Sequence, residues 1–101
     1  MSLLKGNTEA EAKRAVEMLH VFANTKCNKI IKVLLENGTL SVLPIVEKAG
    51  LLQPETSYYL ILMLGHGIVI KKRVGKKSMY TLNTARLEKV LAAVDKLLDE
   101  K

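Results

Sequence analysis

The sequence predicts a small, mostly α-helical domain with one β-hairpin, ordered helix, helix, helix, helix, strand, strand, helix. Three observations predict it. Apolar residues recur at i, i+3, i+4 and i+7 over much of the 101-residue chain, the spacing of helices with one buried face. Asn37-Gly38, Ala49-Gly50 and Gly65-His66-Gly67 interrupt that pattern at intervals suited to short helices. The β-branched run Ile68-Val69-Ile70 and the segment Ser78-Met79-Tyr80-Thr81-Leu82 flank Gly75, which reads as a hairpin over 68–82.

Each element has its own local reason. Thr8-x-x-Glu11 is a capping box that opens a helix over about 8–23, with Ala12, Val16, Leu19 and Ala23 on one face. Asn24 or Thr25 caps the second helix, which Asn37-Gly38 ends. Its stripe is Cys27, Ile30, Ile31 and Leu34, with Lys26, Lys29 and Lys32 off it. Ser41 begins a short third helix carrying Val42, Ile45, Val46 and Ala49. Pro44 is tolerated there because first-turn backbone donors lack partners anyway. The fourth helix runs from about Pro54 to Gly65. The last, over about 84–100 and capped by Asn83 or Thr84, aligns Leu87, Val90, Leu91, Val94, Leu97 and Leu98. Two short helices joined by a tight glycine turn, over about 41–65, form a helix-turn-helix whose second helix can enter a major groove. A hairpin directly after it would flank that helix as a wing. Residues 1–101 therefore read as a single winged helix-turn-helix domain.

Composition narrows the function. At 49% hydrophobic and 26% charged residues, the chain is suited to a packed core rather than a disordered polyelectrolyte. No apolar run approaches the roughly 18 residues of a spanning helix, and the N-terminus lacks the apolar region of a secretory signal, so no membrane partner is expected. A single cysteine excludes an intramolecular disulfide framework and suits a reducing, cytoplasmic setting. The net charge of +6 is concentrated in residues 68–82, where Lys71, Lys72, Arg73, Lys76 and Lys77 stand with no acid. Such a cluster attracts polyanions through phosphate contacts and counterion release, although a wing kept basic for solubility would have the same charge.

The stretch LSVLPIVEKAGLLQPETSYYLILMLGHGIV resembles the ArsR/SmtB-type winged-helix repressors without a gap. The matching positions are Leu40, Ser41, Val42, Gly50, Leu51, Gln53, Pro54, Ser57, Leu60, Gly67 and Val69, with NKIIKVLLENG before them. The hairpin IKKRVGKKSMYTL is similar to that family's basic strand, glycine tip and closing Tyr80-x-Leu82. The resemblance implies a prokaryotic, homodimeric repressor that binds double-stranded DNA. Its dimer would be built from the terminal helices, here the stripe Leu87, Val90, Leu91, Val94, Leu97 and Leu98. It places base reading on the fourth helix, at Gln53, Thr56, Ser57, Tyr58 and Tyr59, and backbone contacts on Lys71, Lys72, Arg73, Lys76 and Lys77. Adjacent helical residues point about 100° apart, so one of Tyr58 and Tyr59 can instead belong to the core.

The departures are as informative. Tyr58-Tyr59 replaces the family's usual Arg-His, and Ile61 and Leu64 replace polar residues on the exposed face. Between Leu52 and Gly65 there is no Lys or Arg, so bidentate Arg–guanine recognition is not available to this helix. The family's metal-sensing cysteines fall on Ser41 and Leu43, which cannot replace soft, deprotonated ligands. Asp95, Asp99 and Glu100 follow in the last helix, but no histidine comes after His66. Cys27 lies on an apolar stripe, where a packing role is expected over a redox one. His20 and His66 have no ligand-spaced partners, and no nucleophile motif or phosphate-cradling loop occurs. No cofactor, metal or enzymatic activity is expected. Two alternatives stand beside the regulator: a protein-interaction module using the apolar face of Tyr58, Ile61 and Leu64, and a regulator answering to a small organic effector held between the dimer helices and the core.

Overall fold

A computed structural model describes residues 9–89 and residue 92. Its elements are α1 (Glu9–Ala23), α2 (Thr25–Asn37), β1 (Leu40–Ser41), α3 (Val42–Ala49), α4 (Gln53–Gly65), β2 (Val69–Val74) and β3 (Lys77–Leu82), followed by helical residues 84–89. The fold is a winged helix-turn-helix.

Local chemistry accounts for the boundaries. Asn24 is the N-cap of α2, its Oδ1 accepting from the backbone N–H of Lys26 at 2.9 Å and of Cys27 at 3.0 Å. At the other end of the domain, Asn83 Oδ1 accepts from the N–H of Arg86 at 3.2 Å as the last helix begins. Gly50 ends α3 in the left-handed region at φ +67°, its N–H reaching the carbonyls of Val46 and Glu47, a geometry an L side chain resists. Gly75 and Lys76 make a two-residue hairpin turn between the paired Val74 and Lys77. Gly75 supplies the positive φ of 63° at the first position, where a type II′ turn requires it.

The core gathers one side of every element. Cys27, Ile30 and Leu34 of α2 meet Ile45 of α3, Leu60 and Met63 of α4, and Ile68, Val69, Tyr80 and Leu82 of the hairpin, with Met18 and Val21 of α1 closing one end. Burying each large aliphatic side chain contributes roughly 1.5–3 kcal/mol. That face holds α4 against the sheet and α3, and leaves the opposite face of α4 to solvent.

Three expectations are corrected here. The sheet has three strands, in the order β1-β3-β2, because Leu40 pairs with Tyr80 and Ser41 with Met79. Two residues offer no alternation to read, and their partners lie 40 and 38 residues on. In α1 the packed side chains are Met18, Val21 and the half-buried Phe22, whereas Val16 (48%) and Leu19 (38%) of the predicted stripe are exposed, as is Ala23. Both sides of α1 carry apolar residues, so spacing could not choose between them; the Ala12 side chain and Thr8 lie outside what is described. Leu64 is half-buried against the core and does not belong to an exposed α4 face. Of the C-terminal stripe, Leu87 also packs against this subunit's own core. Val90, Leu91, Val94, Leu97 and Leu98 lie outside the described residues.

Candidate nucleic-acid interface

The turn into α4 is built by the backbone. After Gly50, the N–H of Leu51 returns to the carbonyl of Val46 at 3.2 Å, and Leu52 occupies the N-cap position in extended geometry. A leucine has no acceptor to cap with, so only half of a capping box forms: Glu55 Oε1 accepts from the Leu52 N–H at 3.3 Å. The same carboxylate pairs through Oε2 with the Lys26 ammonium on α2. Glu55 thus ties the first turn of α4 to α2, and an acid there also suits the positive end of the helix dipole. The hydrogen bond from Lys26, then that from the Leu52 N–H, hold the Glu55 carboxyl below its ordinary pKa. Lys26 is raised, first by its hydrogen bond to Glu55.

The five residues proposed for base reading do not share one environment. Gln53 and Tyr58 are exposed, Ser57 is half-buried, and Tyr59 is half-buried against the core. The Tyr58 and Tyr59 rings meet edge to face with centroids 5.0 Å apart. Thr56 is corrected: it is fully buried, and its Oγ1 donates to the Leu52 carbonyl at 3.0 Å. It locks the first turn of α4 and presents nothing to a groove. Leu52 and Ile61, by contrast, are open to solvent at 69% and 67%.

The wing is exposed along most of its length. Lys71, Lys72, Arg73, Lys76 and Lys77 are all exposed. Directly paired residues of an antiparallel ladder share a face. Lys71 therefore extends the face of buried Tyr80 and Leu82, together with Arg73, while Lys72 lies on the other face with Ile70 and Val74. Only part of the cluster can meet one phosphate backbone at a time. Arg73 Nε also donates to the Gly75 carbonyl at 3.4 Å, holding its guanidinium near the tip.

Elsewhere the described residues offer little chemistry. Cys27 is fully buried, and desolvation raises its thiol pKa, which disfavours a reactive thiolate. Among the described residues, no group of three His, Cys, Asp or Glu side chains converges to hold a metal. An open cleft of about 350 Å³ runs between α1 and α4, with Glu17, His20 and Asn24 on one wall and Tyr58, Tyr59 and His66 on the other.

Comparisons with known proteins agree with this geometry. No family model matches the sequence. The crystal structure of NolR from Sinorhizobium fredii superposes with a TM-score of 0.72 at 25% identity, covering 96% of each chain. The homodimeric winged helix-turn-helix DNA-binding domain of a possible ArsR-family transcriptional regulator from Mycobacterium bovis superposes with a TM-score of 0.71 at 21% identity, over 96% of this chain and 92% of that one. The chain has the winged-helix fold of ArsR-type transcriptional regulators. In sequence, it is 28% identical over 85 residues to an uncharacterized HTH-type transcriptional regulator of Methanocaldococcus jannaschii, spanning 84% of this chain and 96% of that protein. The winged-helix assignment thus rests on architecture across nearly the whole chain.

Proposed function

We propose that this winged-helix protein is a DNA-binding transcriptional regulator that acts as a cytoplasmic repressor, a binding protein without catalytic activity. The observation that carries the reading is the pairing of an exposed helix face, Gln53 and Tyr58, with a following hairpin that holds five exposed cations and no acid. Phosphate contacts from the wing would set register and supply affinity, and α4 would read base edges in the major groove. Selection from a random duplex library tests it. An enriched palindromic site is the expected result, and weak, salt-sensitive binding without enrichment would overturn sequence-specific regulation.

The active unit in this reading is a homodimer. The homodimeric Mycobacterium bovis neighbour supports it, as do the exposed Val16 and Leu19 on α1 and the apolar spacing from Leu87 to Leu98 in the sequence. Mutual burial of such a stripe would contribute several kcal/mol before association costs, at about 25 cal/mol per Å². Sedimentation at micromolar concentration should give a dimer; a monomer at every concentration would remove it. The cleft between α1 and α4 supports a further reading, control by a small organic effector, because it joins a dimer helix to the reading helix.

A further inference from the structure

The outward face of α4 is apolar where a groove-reading helix would be expected to carry cations and amides. Tyr58 is 60% exposed and Ile61 67%; Gln53 and Pro54 are exposed in the first turn, and Leu52, the N-cap ahead of the helix, is exposed as well. Tyr58 and Ile61 are three residues apart and therefore neighbours on the helix surface. From Leu52 to Gly65 there is no Lys or Arg, and the only acid, Glu55, is engaged by Lys26 and the Leu52 N–H. The adjoining wing has the opposite character: five exposed cations, on a hairpin whose first strand packs against α4. Charge complementarity brings this face to a polyanion, and the fold offers it a major groove.

Only one feature of a major-groove base edge is apolar, the C5-methyl of thymine. Resting on the regulator reading above, we propose that Tyr58 and Ile61 are specificity-determining residues that recognise thymine methyl groups, so the half-site contains thymines at the positions facing the middle of α4. The exposed amide of Gln53 fits the same choice. A glutamine pairs with N6 and N7 of adenine, and α4 has no arginine or lysine to select guanine. Affinity comes from the wing, which contributes no base information, and the apolar face discriminates by what it desolvates.

Replacing thymine by deoxyuridine removes only that methyl and leaves Watson–Crick pairing and the phosphates intact. In the best duplex from the library selection, uracil at a contacted position should weaken binding about fourfold for each methyl lost, the worth of one buried methyl-sized group. 5-Bromodeoxyuridine, whose bromine fills the same space, should restore it. Ile61→Ala and Tyr58→Ala should each abolish the thymine-over-uracil preference at their own position while leaving the salt dependence unchanged. Because the first arms alter only the DNA, they do not depend on any variant folding. Equal binding of thymine and uracil duplexes overturns this inference and leaves the regulator standing. Failure to bind any duplex overturns both, and turns the same apolar face toward a protein partner.

Discussion

Between Leu52 and Gly65, α4 carries no lysine or arginine and one acid, whereas the hairpin from Val69 to Leu82 carries five cations and no acid. The two elements pack against each other yet are secured differently. The α4 helix buries Thr56, Leu60 and Met63 in the core and exposes Tyr58 and Ile61. The wing is anchored at its base by Val69, Tyr80 and Leu82, and residues 70–77 are exposed. Under the proposed function, the contrast separates two tasks. Non-specific attraction would sit on the solvated tip of a hairpin whose base belongs to the core, and discrimination on the outward side of a helix whose other side is buried in it.

The sharpest way to break that division is to substitute neighbouring residues of α4. Leu60→Ala should cost about 2–5 kcal/mol of stability through the cavity it leaves, because Leu60 is fully buried. Ile61→Ala, one residue on, should fall within about 0.5 kcal/mol of the unaltered protein. Urea unfolding midpoints measure both, and similar losses would mean that α4 does not present two faces.

Reversing charge on the wing should do the converse. If two or three of its cations meet phosphate in each subunit, log affinity should fall against log salt with a slope of roughly −4 to −5 for the dimer. Lys76→Glu with Lys77→Glu should lower affinity for every duplex by roughly a hundredfold and flatten that slope, with the unfolding midpoint unchanged. Titrations across a salt series check it; unaltered affinity would reduce the hairpin's charge to a solubility feature.

A smaller effect separates Thr56 from its exposed neighbours. Thr56→Val removes the hydroxyl bond to the Leu52 carbonyl while keeping the shape. The backbone N–H of residue 56 still reaches that carbonyl at 3.0 Å. The loss should be about 1 kcal/mol in stability, with the selected DNA sequence unchanged. A shifted sequence preference at equal stability would return Thr56 to the reading surface.

The smallest effect concerns the tie between α4 and α2. Glu55 is held below its ordinary pKa, so its contribution is full above about pH 4.5 and is lost as pH falls through the lowered value. Lys26 is raised, so its share is full below about pH 10.5 and is lost as pH climbs beyond that. Both groups are solvent-facing, and the effect is correspondingly modest. Glu55→Gln should lower the neutral plateau by that modest amount and flatten the acid and alkaline limbs together. Thermal melts from pH 3 to pH 11 would show this, and unchanged limbs would mean the pair is not coupled to folding.

What the sequence determined by itself was whatever depends on a few consecutive residues. The Asn24 cap, the left-handed Gly50, the Gly75 turn and the cation-rich hairpin are local choices of backbone and charge, and each is where its neighbours place it. The stripe of α2 was largely legible because Lys26, Lys29 and Lys32 lie off it: Cys27, Ile30 and Leu34 are buried and Ile31 is half-buried, but spacing did not show that Val33 is buried too while Leu35 is exposed. Where apolar residues occupy both sides of an element, spacing cannot say which side is packed. Tertiary structure alone decided that Met18 and Val21 of α1 are buried and Val16 and Leu19 are not, and that Leu64 leans inward while Ile61 stays out. The same holds for contacts across long separations. The two-residue β1 exists only because β3 offers it a ladder, and Glu55 meets a lysine 29 residues earlier because packing brings α2 beside α4. Local signals fix dihedrals and caps; the choice of faces and distant partners is made only when the whole chain competes for one core.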